Sequence, residues 1–122
     1  MGNDIIEVKD EDRLLRRVLF TDPNYVREDM TVTSFAFKLR KEEEGLSVDI
    51  ERLTTYEKSI VSVEKYRLFA VSCKDLRNLD LDCIHKPFPD NYAHAEISGS
   101  ALNKNKVSSQ LSKFAVYINY PK

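Results

Sequence analysis

Leu81-Asp82-Cys83-Ile84-His85-Lys86-Pro87-Phe88-Pro89-Asp90-Asn91-Tyr92-Ala93-His94-Ala95-Glu96-Ile97 is the stretch whose reading decides the fold. Residues 81–85 and 93–97 each fit an extended strand, and between them Pro87, Pro89, Asp90 and Asn91 are turn formers. The economical solution is an antiparallel hairpin, which makes the sheet mainly antiparallel. Both histidines of the chain lie in this hairpin, beside Asp90 and Glu96. Imidazole titrates near neutrality, so the hairpin is also the first place to look for a site.

Working back toward the N-terminus, Leu46, Val48 and Ile50 alternate with Ser47, Asp49 and Glu51, the signature of a half-buried strand. Residues 30–39 carry Val32, Phe35 and Phe37 among threonines and small residues, and are read as a further strand. Residues 14–20 are apolar enough for strand or helix and stop at Thr21-Asp22-Pro23-Asn24. Thr54 with Glu57 predicts a capping box and a short helix over 55–62. Residues 66–71 read as a buried strand, and Ser72 with Asp75 opens a second short helix that buries Leu76 and Leu79. Val107, Leu111, Phe114 and Ala115 recur at helical spacing, which predicts an amphipathic helix over 103–114 with its lysines outward. Residues 116–120 close the chain as a strand.

This order gives an α+β fold: a mixed, mainly antiparallel sheet, two short helices and one longer C-terminal helix, with partial closure into a barrel compatible with the pattern. A length of 122 residues suits one domain over 13–122, preceded by a loosely held segment over 1–12. Hydrophobic residues make up 42% and charged residues 32% of the chain, which places it outside the disordered class. Nineteen basic and twenty acidic residues leave a net charge of -1, so no global field draws the chain onto nucleic acid. Arg13, Arg16 and Arg17, like Lys104, Lys106 and Lys113, are read as solvated surface. Glu42-Glu43-Glu44 is offset by Lys38, Arg40 and Lys41.

Cys73 and Cys83 match neither a redox pair nor a zinc knuckle and are expected to be reduced and buried. No apolar run spans a bilayer, the start Met1-Gly2-Asn3-Asp4 has no basic leader, and Ile6 stands where a myristoylation signal needs a hydroxyl. A cytoplasmic protein is the expectation. No motif implies a cofactor: a phosphate loop and a GxSxG elbow are both missing from the sequence.

On a strand, side chains two apart share a face, so His94, Glu96 and Ser98 are grouped. Three site readings follow. In the leading one, Ser34, Asp90, Asn91, His94 and Glu96 form a pocket or surface that binds a protein partner or a small ligand. In a metal-dependent hydrolase, His85, His94 and Glu96 would ligate zinc or iron, with Asp90 hydrogen-bonded behind them. In an NAD-using enzyme with the arginine, serine and glutamate layout of ADP-ribosyltransferases, which this order along the chain resembles, Arg16 or Arg17 would grip pyrophosphate, Ser34 would follow on a strand, and Glu96 would stabilise the sugar cation. Against all three stands a structural role, with His94 bonded to the turn and Glu96 in water. Six phenylalanines and six tyrosines also leave room for an apolar face that pairs the chain with a second copy.

The segments Asp90-Asn91-Tyr92-Ala93-His94-Ala95-Glu96-Ile97, Ser34-Phe35-Ala36-Phe37 and Leu46-Ser47-Val48 resemble a group of small, uncharacterised bacterial proteins with a D-N-x-x-H-A-E-I motif. The resemblance spans most of the chain and implies a bacterial, intracellular, single-domain protein with a polar cluster near Asn91, His94 and Glu96. In that group proline is expected where Tyr92 stands and glycine where Asp80 stands. No activity comes with the resemblance.

Overall fold

The computed structural model describes residues 4–40 and 43–119. Six strands, β1 (Arg13–Leu19), β2 (Leu46–Ile50), β3 (Tyr66–Ser72), β4 (Asp82–His85), β5 (His94–Ser98) and β6 (Val116–Ile118), form one sheet in the order β4-β5-β2-β1-β3-β6. Every pairing is antiparallel, and β4 and β6 are open edges, so the α+β class stands while the sheet is neither mixed nor closed into a barrel. Three helices, α1 (Tyr56–Ile60), α2 (Cys73–Asn78) and α3 (Asn105–Phe114), complete the described fold with short 3-10 turns.

Alternation along the strands splits the sheet into two unlike faces. Leu14, Val18, Leu46, Val48, Ile50, Phe69, Val71, Cys83, Ala95 and Ile97 enter one large core with Leu76 of α2 and Val107 and Leu111 of α3. At about 25 cal/mol per Å² of apolar surface removed from water, this is the face that drives folding. The opposite face carries a smaller cluster, Leu15, Leu68 and Ala70 under Ile60 of α1. Toward β2 and β5 that second face turns polar, and it is there that the candidate site lies.

Several expectations are corrected. Residues 30–39 are not a strand: Ser34–Phe37 is a 3-10 turn with Ala36 and Phe37 both buried. Two adjacent buried side chains cannot share one face of a strand, and the turn resolves this by rotating both inward. The helix cap is Thr55, whose hydroxyl accepts from the Lys58 N–H at 3.3 Å, because the Thr54 N–H already closes the preceding turn on the Glu51 carbonyl. Ser72 does cap α2, accepting from the Asp75 N–H at 3.2 Å. Phe114, read as core, is 41% exposed at the end of α3. Asp80 has φ +63°, a left-handed position suited to glycine. Tyr120, the last residue assigned to the closing strand, lies outside the described residues, as do Met1, Gly2, Asn3, Lys41 and Glu42.

The segment over 1–12 is also firmer than its sequence suggests. Residues 4–12 contain no helix or strand, yet Val8 is buried in the large core. Asp12 is buried too: its carboxylate accepts from the Lys9 N–H at 2.8 Å and from the Arg52 Nε at 2.6 Å, and its carbonyl accepts from the Cys73 N–H. The three early arginines do not gather into one basic surface. Arg13 pairs with Glu51, Arg16 points to the large-core side and donates to the Ala36 and Ser47 carbonyls, and Arg17 points to the other side. No described helix is long and apolar enough to cross a membrane.

Both cysteines are buried free thiols, and burial pushes Cys73 up to about 11 and Cys83 up to about 12. For Asp12, burial works to raise the pKa, but the Arg52 guanidinium and the Lys9 N–H outweigh it and hold the carboxyl below its ordinary value. A carboxyl depressed in the folded state contributes stability that is complete above the ordinary value of 3.8 and lost as pH falls through the folded value. Asp12→Asn is therefore expected to cost about 1–2 kcal/mol near neutrality, and the gap to wild type should narrow between about pH 5 and about pH 2 in urea unfolding curves.

Candidate functional site

The hairpin joins β4 to β5 with Cys83 opposite Ile97, Ile84 opposite Glu96 and His85 opposite Ala95. Cross-strand partners share a face, so His85 lies on the large-core side and His94 and Glu96 lie on the other. His85 is 2% exposed. Its Nδ1 accepts the Ile6 N–H at 3.0 Å, and its Nε2 donates to the Tyr92 carbonyl at 2.6 Å. Both ring nitrogens are used, one as acceptor and one as donor, and the Tyr92 ring meets the imidazole edge-on. His85 is a structural clamp that ties the N-terminal segment to the hairpin.

This geometry removes the metal reading. His85 cannot reach an ion held by His94 and Glu96, because the sheet stands between them. Among the described residues no group of three histidines, cysteines or acids is placed to hold a metal. The NAD layout is dispersed as well. Ser34 lines a separate cleft with Arg27, Met30, Ser109 and Tyr117, whereas Arg16 holds the Ala36 and Ser47 carbonyls and Glu96 pairs with Lys86 at 3.1 Å. Ser34 therefore drops out of the His94 pocket too. Glu96 shares a face with His94 but packs over Gly45, where a Cβ would come within 2.5 Å of its Cγ, and does not line the pocket.

What does surround His94 is a cleft of about 710 Å³ on the polar half of the second face. Strand β2 provides its floor: Asp49 lies opposite His94 and Ser47 opposite Glu96. The rim comes from Phe88, Asp90, Asn91 and Tyr92 of the hairpin turn, and the far wall from Leu53, Thr54, Lys58 and Val61 around α1, with Leu15 and Arg17 on β1. Phe88 and Asn91 exchange backbone bonds across Pro89-Asp90, the tight turn that the prolines predicted.

The polar groups in the cleft are ordered. The His94 Nδ1 lies 2.8 Å from the Lys86 carbonyl, which can only accept, so Nδ1 carries a proton and, in the neutral ring, Nε2 is an acceptor. Toward that Nε2 the Ser47 hydroxyl donates at 3.3 Å. Phe88 stacks on the imidazole, centroids 3.8 Å apart at 19°. Asp49, 7% exposed, accepts from Ser59 Oγ at 2.7 Å and from Asn91 Nδ2 at 2.9 Å, and among the described residues it makes no ion pair. Arg17, which lines the cleft, donates to the Ser59 carbonyl at 3.0 Å and lies over the Tyr66 ring, 5.4 Å from its centroid. Val61 at the rim has φ +65°, a strained conformation for a β-branched residue.

No protein-family model, no curated protein and no solved structure matches the chain. The site therefore has to be read from its own geometry. Of the residues nominated from sequence, the structure brings Asp90, Asn91 and His94 together in the cleft. Arg17, which the NAD layout offered as an alternative to Arg16, lines it too, and Ser47, Asp49 and Lys58 join them unannounced, because polar positions on an alternating strand or a short helix read as solvent-facing.

His85→Ala leaves the Ile6 N–H and the Tyr92 carbonyl without their partner and opens a cavity, an expected loss of about 2–4 kcal/mol in urea unfolding. In hydrogen exchange the amide of Ile6 should lose its protection in that variant, while the amides of β2 keep theirs.

Proposed function

We propose that this domain binds a small organic anion in the His94 cleft. The observation that carries the reading is the composition of the cleft at its size. Cavities that take small molecules run from about 300 to about 1,000 Å³, and this one lies inside that range with a lining more polar than apolar, which suits a charged ligand. Leu15, Leu53, Val61 and Phe88 supply apolar and aromatic surface; Ser47, Asn91 and His94 supply oriented hydrogen-bonding atoms; Arg17 and Lys58 supply positive charge. The Asp49 carboxylate sits beneath, accepting from Ser59 and Asn91, and Asp90 places a second carboxylate at the rim, so the two cations rather than a net positive charge would have to select the anion.

The concavity favours a small ligand over the protein partner that the sequence allowed equally. A self-association face built from aromatics has less support: Phe88 belongs to the His94 cleft, whereas Phe35 borders a different one with Leu19, Tyr25 and Lys38. Within this reading the resemblance to small bacterial proteins fits a single-domain, cytoplasmic binding module, with the D-N-x-x-H-A-E-I segment forming the rim.

Phenylphosphate, which combines a planar ring with a compact anion, is a suitable probe. Titrated into the protein, it should shift the amide resonances of Ser47, Asn91 and His94 saturably. Arg17→Gln should weaken binding about fivefold to tenfold, on the order of 1 kcal/mol. Shifts confined to residues outside the cleft, or an affinity that Arg17→Gln leaves unchanged, would overturn the reading.

A further inference from the structure

We propose that Ser47 and His94 are a nucleophile and its general base, and that the cleft transfers the acyl group of a small carboxylic ester bearing an anionic substituent. This rests on the cleft being the ligand site and adds a reaction to it.

Three features separate the pair from an ordinary surface hydrogen bond. The first is tautomer control. A serine hydroxyl becomes nucleophilic when a base takes its proton, and the base must present a lone pair to it. The Lys86 carbonyl fixes the proton on Nδ1, so the Nε2 lone pair faces the Ser47 hydroxyl at 3.3 Å. In the familiar triad a third group orients the imidazole; here a backbone carbonyl does so. The separation is at the long end of hydrogen bonding, as such pairs are without substrate.

The second feature is the charge beside the ring. When His94 takes the proton it becomes an imidazolium, and burial would penalise that cation without a neighbouring negative charge. Asp49 lies directly opposite His94 on β2, and cross-strand neighbours have their Cβ atoms within about 4.5–5.5 Å of each other. Its carboxylate accepts from Ser59 and Asn91 and makes no ion pair among the described residues, so it stands beside the ring where the imidazolium forms.

The third feature is access. Ser47 is the exposed member of the pair, whereas His94 is 7% exposed under the stacked Phe88 ring. Substrate can therefore reach the oxygen while the base is kept from bulk water. The Arg16 guanidinium donates to the Ser47 carbonyl at 2.8 Å and holds that backbone in place. The β1–β2 pairing ends at Leu15 opposite Asp49; Arg17, two residues further along the same face of β1, lines the cleft, and its guanidinium is assigned as the donor to the oxyanion. Lys58 faces the anionic substituent.

The step balances without a cofactor. Ser47 Oγ bonds to the ester carbonyl carbon as its proton passes to His94 Nε2. The resulting oxyanion collapses, the bond to the alkoxy oxygen breaks, and that oxygen leaves with the proton from His94. A water molecule then attacks the acyl-serine, with His94 again taking and returning the proton, to release the carboxylic acid and restore Ser47.

The test uses the folded 122-residue chain with a fluorophosphonate, which phosphonylates activated serines, and with the p-nitrophenyl ester of 4-sulfobenzoic acid, whose anionic group cannot reach its own carbonyl, as substrate. The expected result is one adduct, located on Ser47 by peptide mass spectrometry, together with release of nitrophenolate faster than in buffer. Ser47→Ala, a change at an exposed position, should abolish the adduct and return release to the buffer rate. His94→Gln should slow labelling at least about a hundredfold, and Asp49→Asn about tenfold, in variants shown folded by their NMR spectra. Should His94→Gln not fold, the comparison is with the urea-unfolded wild type, which should label at least about a hundredfold more slowly. No adduct on Ser47 above that unfolded control, or a labelling rate unchanged in folded His94→Gln, would overturn the proposal. If phenylphosphate still maps to the cleft while Ser47 stays unlabelled, acyl transfer fails and binding survives. If Ser47 labels while phenylphosphate finds no cleft, the binding reading fails alone.

Discussion

Strand β5 is hydrogen-bonded on both sides, to β2 and to β4, and its register against each decides where every group of interest points. Slipping either pairing by one residue would exchange the two faces, moving Ala95 and Ile97 to the cleft and His94 and Glu96 into the core. Burial of Ala95 and Ile97, both 0% exposed, makes that exchange costly. The large core therefore holds the polar face in place: apolar residues on one side of β5 position the imidazole on the other. The same alternation gives the two histidines unrelated work, one tying down the N-terminal segment and one lining a cleft.

Polar residues on the second face are tolerated because each is satisfied. A buried carboxylate without an ion pair is costly, and Asp49, which makes none among the described residues, is kept by hydrogen bonds from Ser59 on α1 and Asn91 on the hairpin turn. Those bonds also tie α1 and the turn to β2, so the walls of the cleft are fixed by the group on its floor. The smaller cluster of Leu15, Ile60, Leu68 and Ala70 anchors α1 from the other side. The walls thus depend on the Asp49 bonds at one end and on apolar packing at the other.

Much of the fold was legible because local signals agreed with the tertiary structure. The hairpin, the strand at Leu46–Ile50, the Ser72 cap and the amphipathic α3 all read correctly from period and capping chemistry. Residues 30–39 failed because their apolar spacing admits both a strand and a tight turn, and only packing in the large core selects the turn. The site was half legible. His94 and Asn91 stand out by residue type, but Ser47 acquires meaning only through a hydrogen bond to a residue 47 positions away. His85 misled for the complementary reason: its type suggested chemistry, and the register that buried it lay beyond local pattern.

The central claim, that opposite faces of one hairpin hold the two imidazoles in opposite tautomers, can be read directly from the ring nitrogens. Long-range ¹H–¹⁵N spectra of the histidine side chains at neutral pH should show the proton on Nε2 of His85 and on Nδ1 of His94, in keeping with their carbonyl partners Tyr92 and Lys86. Finding both rings in the same tautomer, or His94 averaging between the two, would contradict the account.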